Sequence, residues 1–394
     1  MDFSLTDQQR AFKERFERIC REHIAPHARD ADRTGSLPQH TWRTLSEAGY
    51  FQLFHPEELG GSAADGVTLG IAMEALGQAC ASTLWSATIS TGLCGKLLWN
   101  QCRPTHHRQW LAPILRGEKI GCVAGNERNA GSDQRSFLTK VRRVGPGRYL
   151  INGEKLRISN GPIADVAVVF AQLEESEGLS FAVVDLHHPG VKRSSIEHLG
   201  LRAMPWGTLT FEDVELSEED VIQGSSPDKI LRSIEWGLLF QCFCSIGLAS
   251  AALEAGIDYA QTRRAFGRPI AHLQTVHSRL ADMHVEIDAA RLLSLEAASM
   301  MARGEVAGEL VMMAKIHASE MAVRAADAAM RIFAGWGYST DFVVERLYRD
   351  SLGHISGGQT TDRLRELVIS PDVHVNPWEY EPFDWLSPAG LSVP

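Results

Sequence analysis

The chain has 394 residues, 44% of them hydrophobic, and a formal net charge of -10. At roughly 150 residues per domain, this predicts two or three domains around a large core. The acidic balance argues against a nucleic-acid protein. The opening residues, Met1-Asp2-Phe3-Ser4, lack the basic and apolar regions of a secretion signal. The most apolar window, residues 237–252, is interrupted by Gln241 and bounded by Glu235 and Glu254, the pattern of a core helix rather than a membrane span. Seven cysteines without a C-x-x-C pair read as reduced thiols of a cytosolic protein. His106-His107 and His187-His188 are adjacent and suit no single-site geometry, and Pro26 disrupts the helix between His23 and His27. No metal is expected.

Thr6-Asp7-Gln8-Gln9 has the pattern of a capping box, and Phe12, Phe16 and Ile19 follow at helical spacing. Further helical stretches are expected over residues 38–49, 67–80 and 82–100, making residues 1–115 an all-helical domain. Near Lys119 the pattern changes to short β-rich runs at 120–124, 149–151, 166–171, 181–184 and 208–211. Pro146-Gly147 and Asn152-Gly153 are turn signals between them. A small β domain is therefore expected over 116–225, with Ser225-Ser226-Pro227 at its exit. Helices resume in a third domain, 226–370, and residues 371–394, rich in Pro and Trp, read as an extended tail.

Residues 231–262 are long and apolar with no proline, which predicts a buried helix. Gly267 and Pro269 break it, and residues 273–301 predict a second helix of comparable length. Arg263 and Arg264 thus sit at a corner between two core helices. A helix C-terminus favours cations, and an exposed arginine pair can grip phosphate bidentately.

From Arg263 to Gln274 the chain reads R-x-x-F-G-x-P-I-x-x-x-Q, which resembles the acyl-CoA dehydrogenase family. Other segments match that family in order. Pro56 to Gly61 resembles its P-x-x-x-G-G loop, and Gly125 to Asp133 its T-E-x-x-A-G-S-D loop, with Asn126 in place of the threonine. Gly153 to Gly161 resembles G-x-K-x-W-I-T-N-G, with Ser159 keeping the hydroxyl and Arg157 replacing the tryptophan. Gly200 to Val214 resembles G-x-R…F-x-D-V, a marker of the fold. Arg331 to Asp350 resembles Q-x-x-G-G-x-G-Y…V-E-R…R-D, with Arg331 and Ala334 as departures. The resemblance covers nearly the whole chain. It implies an α+β fold: an N-terminal all-helical domain, a middle small β-barrel or sandwich, and a C-terminal four-helix bundle. It implies FAD held between subunits by Asn126, Gly131, Ser132, Ser159, Arg263, Phe266, Gln274, Gly335 and Thr360, and hence a homodimer or homotetramer. The expected substrate is an acyl-CoA or acyl-carrier-protein thioester. The expected acceptor is an electron-transfer flavoprotein or oxygen.

The family's R-D…I-Y-E-G-T segment carries the glutamate that removes the substrate α-proton; counted onto this sequence, that glutamate falls on Gly358. Some relatives keep the base on the long helix before the corner, a position that falls on Gly237. Glu235, two residues away, is the leading relocated base, although two residues rotate a helix by roughly 200°. His354 and Asp362 are the next candidates, and Thr361 or Asp362 can cap the helix that follows. Leu238 stands where many CoA-using relatives carry an arginine. Three activities fit the resemblance: an acyl thioester dehydrogenase with a relocated base, a flavin monooxygenase on the same fold, and a flavin-binding partner subunit without catalysis of its own.

Overall fold

A computed structural model of the protein describes residues 4–128, 130, 137–174, 179–223 and 227–370, with the side chains of 179 and 227–234 left out. Gly131, Ser132 and the expected tail at 371–394 lie outside the described residues.

The first layer is helical: α1 (Asp7–His23), α2 (Ala28–Thr34), α3 (Gln39–Glu47), α4 (Gly66–Ala79), α5 (Ala81–Thr88), α6 (Gly95–Gln101), α7 (Pro104–His106) and α8 (Ala112–Leu115). The capping box forms as its residues dictate: Gln9 N–H donates to Thr6 Oγ1 at 3.2 Å, and Thr6 N–H donates to Gln9 Oε1 at 3.0 Å. Phe12 stacks on Phe16 with ring centroids 5.6 Å apart, and Phe16 is fully buried. The stretch read as one helix over 82–100 is not uniform. Between α5 and α6 the residues Ile89–Cys94 form a π-helical insertion. Such insertions widen a helix by one residue per turn and recur at functional sites.

The middle layer is one sheet. Its strands are β1 (Gly121–Ala124), β2 (Lys140–Gly145), β3 (Arg148–Ser159), β4 (Val166–Leu173), β5 (Leu179–Asp185), β6 (Val191–Ser195), β7 (Trp206–Ser217) and β8 (Val221–Ile222). The order is β6-β7-β3-β2-β4-β5-β8, with β1 added parallel to β4. The apolar runs announced β1, β3, β4, β5 and β7. They did not announce β2 and β6: β2 buries only Val141 and β6 buries no residue, so neither shows an apolar run. Backbone pairing to β3 and β7 makes them strands instead.

The third layer holds α9 (Pro227–Thr262), α10 (Gln274–Ala302), α11 (Gly308–Phe333), α12 (Val344–Ser356) and α13 (Thr361–Ile369). Helix α9 runs through the core, with Leu239, Phe243 and Ala249 fully buried. Two stretches, Gly66–Gln101 and Glu235–Thr262, are long and apolar enough to cross a membrane, but 72% and 83% of their apolar windows are buried inside the protein. The corner after α9 is a small hairpin, β9 (Arg264–Ala265) paired with β10 (Arg268–Pro269). Its central residues, Phe266 and Gly267, have φ of 50° and 79°. That is the requirement of a two-residue hairpin turn, and phenylalanine is an uncommon occupant of it.

Helix α12 ties the layers together. Arg349 forks onto Asp32 at 2.7 and 3.1 Å, bonds Glu345 at 2.7 Å and donates to Leu199 O at 3.1 Å. Beside it, Asp350 is buried and accepts from the Leu201 N–H. Burial raises its carboxyl from 3.8 to about 6, although the Leu201 N–H and Arg346 pull the other way. The folded chain therefore holds this proton more tightly than the unfolded chain. Between about pH 4 and pH 6 the folded state binds more protons, so this group's contribution falls as pH rises through that window. Asp350→Asn keeps the acceptor and removes the titration. Relative to wild type it should gain roughly 2 kcal/mol in stability between pH 4 and pH 7. Denaturant melts of both proteins at the two pH values check this; a constant difference would rule it out.

Candidate active site

A cavity of about 760 Å³ opens where the three layers meet. Its apolar walls come from Trp85 on α5, Ile89 and Leu93 of the π-helical insertion, Phe137, Phe170 on β4, and Leu238 and Phe240 on α9. Asn126, Ser159 and Thr360 supply polar points, from the loop after β1, the end of β3 and the N-cap of α13. The structure thus gathers three of the expected cofactor residues in one cavity.

The hydrogen bonds of these groups fix what they can still do. Ser159 Oγ accepts from Trp85 Nε1 at 3.1 Å, which leaves its own proton to donate. Thr360, not Thr361 or Asp362, caps α13: its Oγ1 accepts from Arg363 N–H at 3.2 Å, again leaving a hydroxyl proton to donate. Asn126 is anchored by its backbone, Leu156 N–H donating to its carbonyl at 2.9 Å. Arg157 leaves the cavity without the expected tryptophan face. Trp206 supplies one from the next strand: it pairs with Ser159 in the sheet register, lines the cavity, and donates its Nε1 to Arg157 O at 2.8 Å.

Two buried lysines hold the loops that carry these groups. Lys155, fully buried, lies 2.8 Å from Glu127 and 3.3 Å from Gly125 O, with its ammonium 4.1 Å from the Phe137 ring centroid. Burial pushes Glu127 up, but Lys155 and the N–H groups of Leu138 and Thr139 bring its carboxyl below its ordinary value. The E and K of the two family segments are thus one ion pair clamping the Asn126 loop to β3. Lys315, also fully buried, donates to Gln359 O at 2.7 Å and Ile355 O at 3.3 Å, and burial lowers it to about 8. It closes the C-terminus of α12 and holds the Gly357-Gly358 turn, a favourable place for a cation.

Both positions at which relatives keep the base line the cavity, and both are glycine: Gly237 and Gly358. The expectation for Glu235 is corrected. Glu235 is buried but does not line the cavity; its Oε1 lies 2.8 Å from where a Cβ on Gly308 would stand, at the start of α11. The two-residue offset turns it away, and no unwinding of α9 brings it back. His354 is also displaced. It packs edge-on behind Trp85 with centroids 5.0 Å apart, and burial, with Lys315 nearby, lowers it to about 3. Asp362 points to solvent and bonds Arg365 at 3.1 Å.

The group that sequence reasoning missed is His198, the single imidazole on the described cavity wall, where no described carboxylate stands. Its Nδ1 lies 2.7 Å from Gly200 O, and its ring meets Trp206 edge-on at 5.2 Å. A carbonyl only accepts, so Nδ1 carries a proton in that bond and leaves Nε2 as the ring nitrogen free to take another. A lone histidine in a loop gives no periodic signal that could have marked it.

Arg263, Phe266, Gln274 and Gly335 are not brought to this cavity. All four are exposed, Phe266 by 89%. The corner and the glycine turn nonetheless share one end of the bundle. Tyr259, near the end of α9, stacks at 4.0 Å on Phe333, just before Ala334, and Phe333 in turn meets Phe342 at 5.1 Å.

Fold and cavity together define a protein built to hold a planar aromatic group among aromatic walls, with hydroxyl and amide donors at its edge. Comparison with known proteins agrees. The chain matches the acyl-CoA dehydrogenase N-terminal domain over residues 6–118, the middle domain over 122–214 and the C-terminal domain over 229–369. A probable acyl-CoA dehydrogenase of Bacillus subtilis is 33% identical over 94% of this chain and 99% of its own length. The benzylmalonyl-CoA dehydrogenase of Aromatoleum aromaticum is 33% identical over 95% of this chain and 100% of its own. The structure of butyryl-CoA dehydrogenase from Megasphaera elsdenii superposes with a TM-score of 0.90 at 27% identity, over 95% of this chain and 100% of that one. The chain belongs to the acyl-CoA dehydrogenase family, and is an FAD-dependent oxidoreductase of the type acting on CH–CH donors.

Proposed function

We propose that the protein catalyses α,β-dehydrogenation of an acyl thioester carried by CoA or by a carrier protein. The observation that carries this is the single cavity in which Asn126, Ser159 and Thr360 meet Gly358 and an apolar wall. The donors left free on Ser159 and Thr360 suit the acceptor-rich edge of a flavin, and the aromatic residues suit its faces. Asn126, Ser159 and Thr360 would hold FAD from one chain, a role the family resemblance gives to Gly131 and Ser132 as well. Arg263, Phe266, Gln274 and Gly335 would hold it from a second copy. The exposed aromatics Phe266, Trp336 and Tyr338 support such a covered face. FAD, when bound, supplies the acceptor for the hydride that leaves the β-carbon.

The thioester acidifies the α C–H, and the backbone N–H of Gly358 stabilises the charge that gathers on the carbonyl oxygen. The α-proton goes to Nε2 of His198, whose Nδ1–H stays fixed on Gly200 O. A cytoplasmic homodimer or homotetramer that passes electrons to an electron-transfer flavoprotein or to oxygen completes the reading.

Purified protein should carry or take up FAD, and an acyl thioester without oxygen should bleach it. A colourless protein with no flavin binding by calorimetry would sink the proposal. A second reading has its own observation, the glycines at 237 and 358. Product formation only with oxygen and a reductant would favour a monooxygenase. Activity only after mixing with a glutamate-bearing paralogue would favour a partner subunit.

A further inference from the structure

The space beside Gly358 is not empty. Gln241, one turn beyond Gly237 on α9, is 2% exposed and lines the same cavity. Its Nε2–H donates to Gly237 O at 2.8 Å. Because that carbonyl only accepts, the bond fixes which end of the amide is which. Oε1 is therefore the other end, and it has no hydrogen-bond partner. The amide lies across the paired glycines. A Cβ on Gly357 would stand 2.8 Å from Oε1 and 2.6 Å from Trp85 Cη2, and a Cβ on Gly358 would stand 2.8 Å from Nε2. Gly358 also holds a left-handed φ of +66°, which side chains rarely adopt. The two glycines and the glutamine are shaped to one another. Next to them, the Oε1 of Gln359 is buried and equally without a partner. This end of the cavity presents carbonyl oxygens and no carboxylate among the described residues.

A buried acceptor left unpaired is costly, and native proteins pair such atoms with protein, water or ligand. We propose that Gln241 is a specificity-determining residue: its Oε1 accepts a hydrogen bond from an N–H or O–H group on the acyl part of the substrate. The inference rests on the thioester reading above, in which position 358 faces the α- and β-carbons. The substrate class is then an acyl thioester with a hydroxyl or amino substituent on one of those carbons. An alkyl chain alone would leave Oε1 unsatisfied, and sites built around a hydrogen bond reject analogues that lack it.

The experiment compares matched thioesters on the FAD-loaded protein without oxygen, reading affinity from the change in the flavin spectrum. Butanoyl-CoA is set against 2-hydroxybutanoyl-CoA, 3-hydroxybutanoyl-CoA and 2-aminobutanoyl-CoA, with the pantetheine thioesters in parallel. At least one substituted thioester should bind wild type roughly tenfold more tightly than its parent. That preference should fall to about onefold in Gln241→Leu and in the similarly sized Gln241→Met. Equal affinities throughout the wild-type series would overturn the assignment, since water then satisfies Oε1. Reduced FAD affinity in both variants with the substrate preference intact would also overturn it, by giving the acceptor to a flavin N–H. If the flavin spectrum responds to no thioester at all, including the parents, the thioester reading itself fails and this inference with it.

Discussion

Replacing His198 with asparagine should slow anaerobic flavin bleaching by an acyl thioester roughly 10²–10⁴-fold while leaving FAD content unchanged. Asparagine can still donate an N–H toward Gly200 O, as Nδ1 does at 2.7 Å, so the loop keeps its anchor. What it lacks is the basic Nε2. Trp206 packs against the imidazole edge and is itself held by Arg157 O, so the neighbouring wall has its own support. Stopped-flow bleaching with a saturating thioester measures the effect. A rate within about threefold of wild type would remove His198 from the reaction and point to a proton acceptor outside the described residues.

The second large effect is structural. Lys155→Met should cost about 3–5 kcal/mol, because it leaves the Glu127 carboxylate, 4% exposed, without its counter-charge. The backbone N–H groups of Leu138 and Thr139 still reach Glu127, but they do not cancel a full charge. FAD uptake should weaken as well, since Gly125 and Asn126 lose the ammonium that ties their loop to β3. The double variant Glu127→Leu/Lys155→Met should recover much of the stability, as buried ion pairs replaced by apolar residues often do. Glu127's folded value lies below the ordinary 4.5, so its contribution is present above that pH and fades on acidification through the folded value, while burial lowers Lys155 to about 8 and the ion pair is lost as pH rises through that value. Denaturant melts of both variants decide the matter. Equal stability of wild type and Lys155→Met would show that Glu127 is not held as a charge.

The layered plan was legible because it rests on periodicity and turn chemistry. The apolar run of α9, the break at Gly267 and Pro269, and the apolar strands all announce themselves. The strands β2 and β6 did not, because polar strands on a sheet carry no apolar run. The site divides along the same line. Counting along the resemblance brought Asn126, Ser159, Thr360, Gly237 and Gly358 to one cavity. It could not decide which way Glu235 points, because helix rotation is a matter of packing. Lys315 looks like any lysine on a long helix until its ammonium is seen on Gln359 O. Gln241 was visible only as a polar interruption of an apolar window, and that interruption was the signal.

The fit between Gln241 and the paired glycines bears on what a side chain at 358 would meet. A carboxylate introduced at position 358 would enter a left-handed backbone and press its Cβ to 2.8 Å from the amide. A side chain at 358 therefore meets backbone strain whatever stands at 241, while the amide end, on a flexible side chain, can shift aside. The left-handed turn at Gly358 thus sets the local cost of any side chain there, and Gln241 sets only the space beside it.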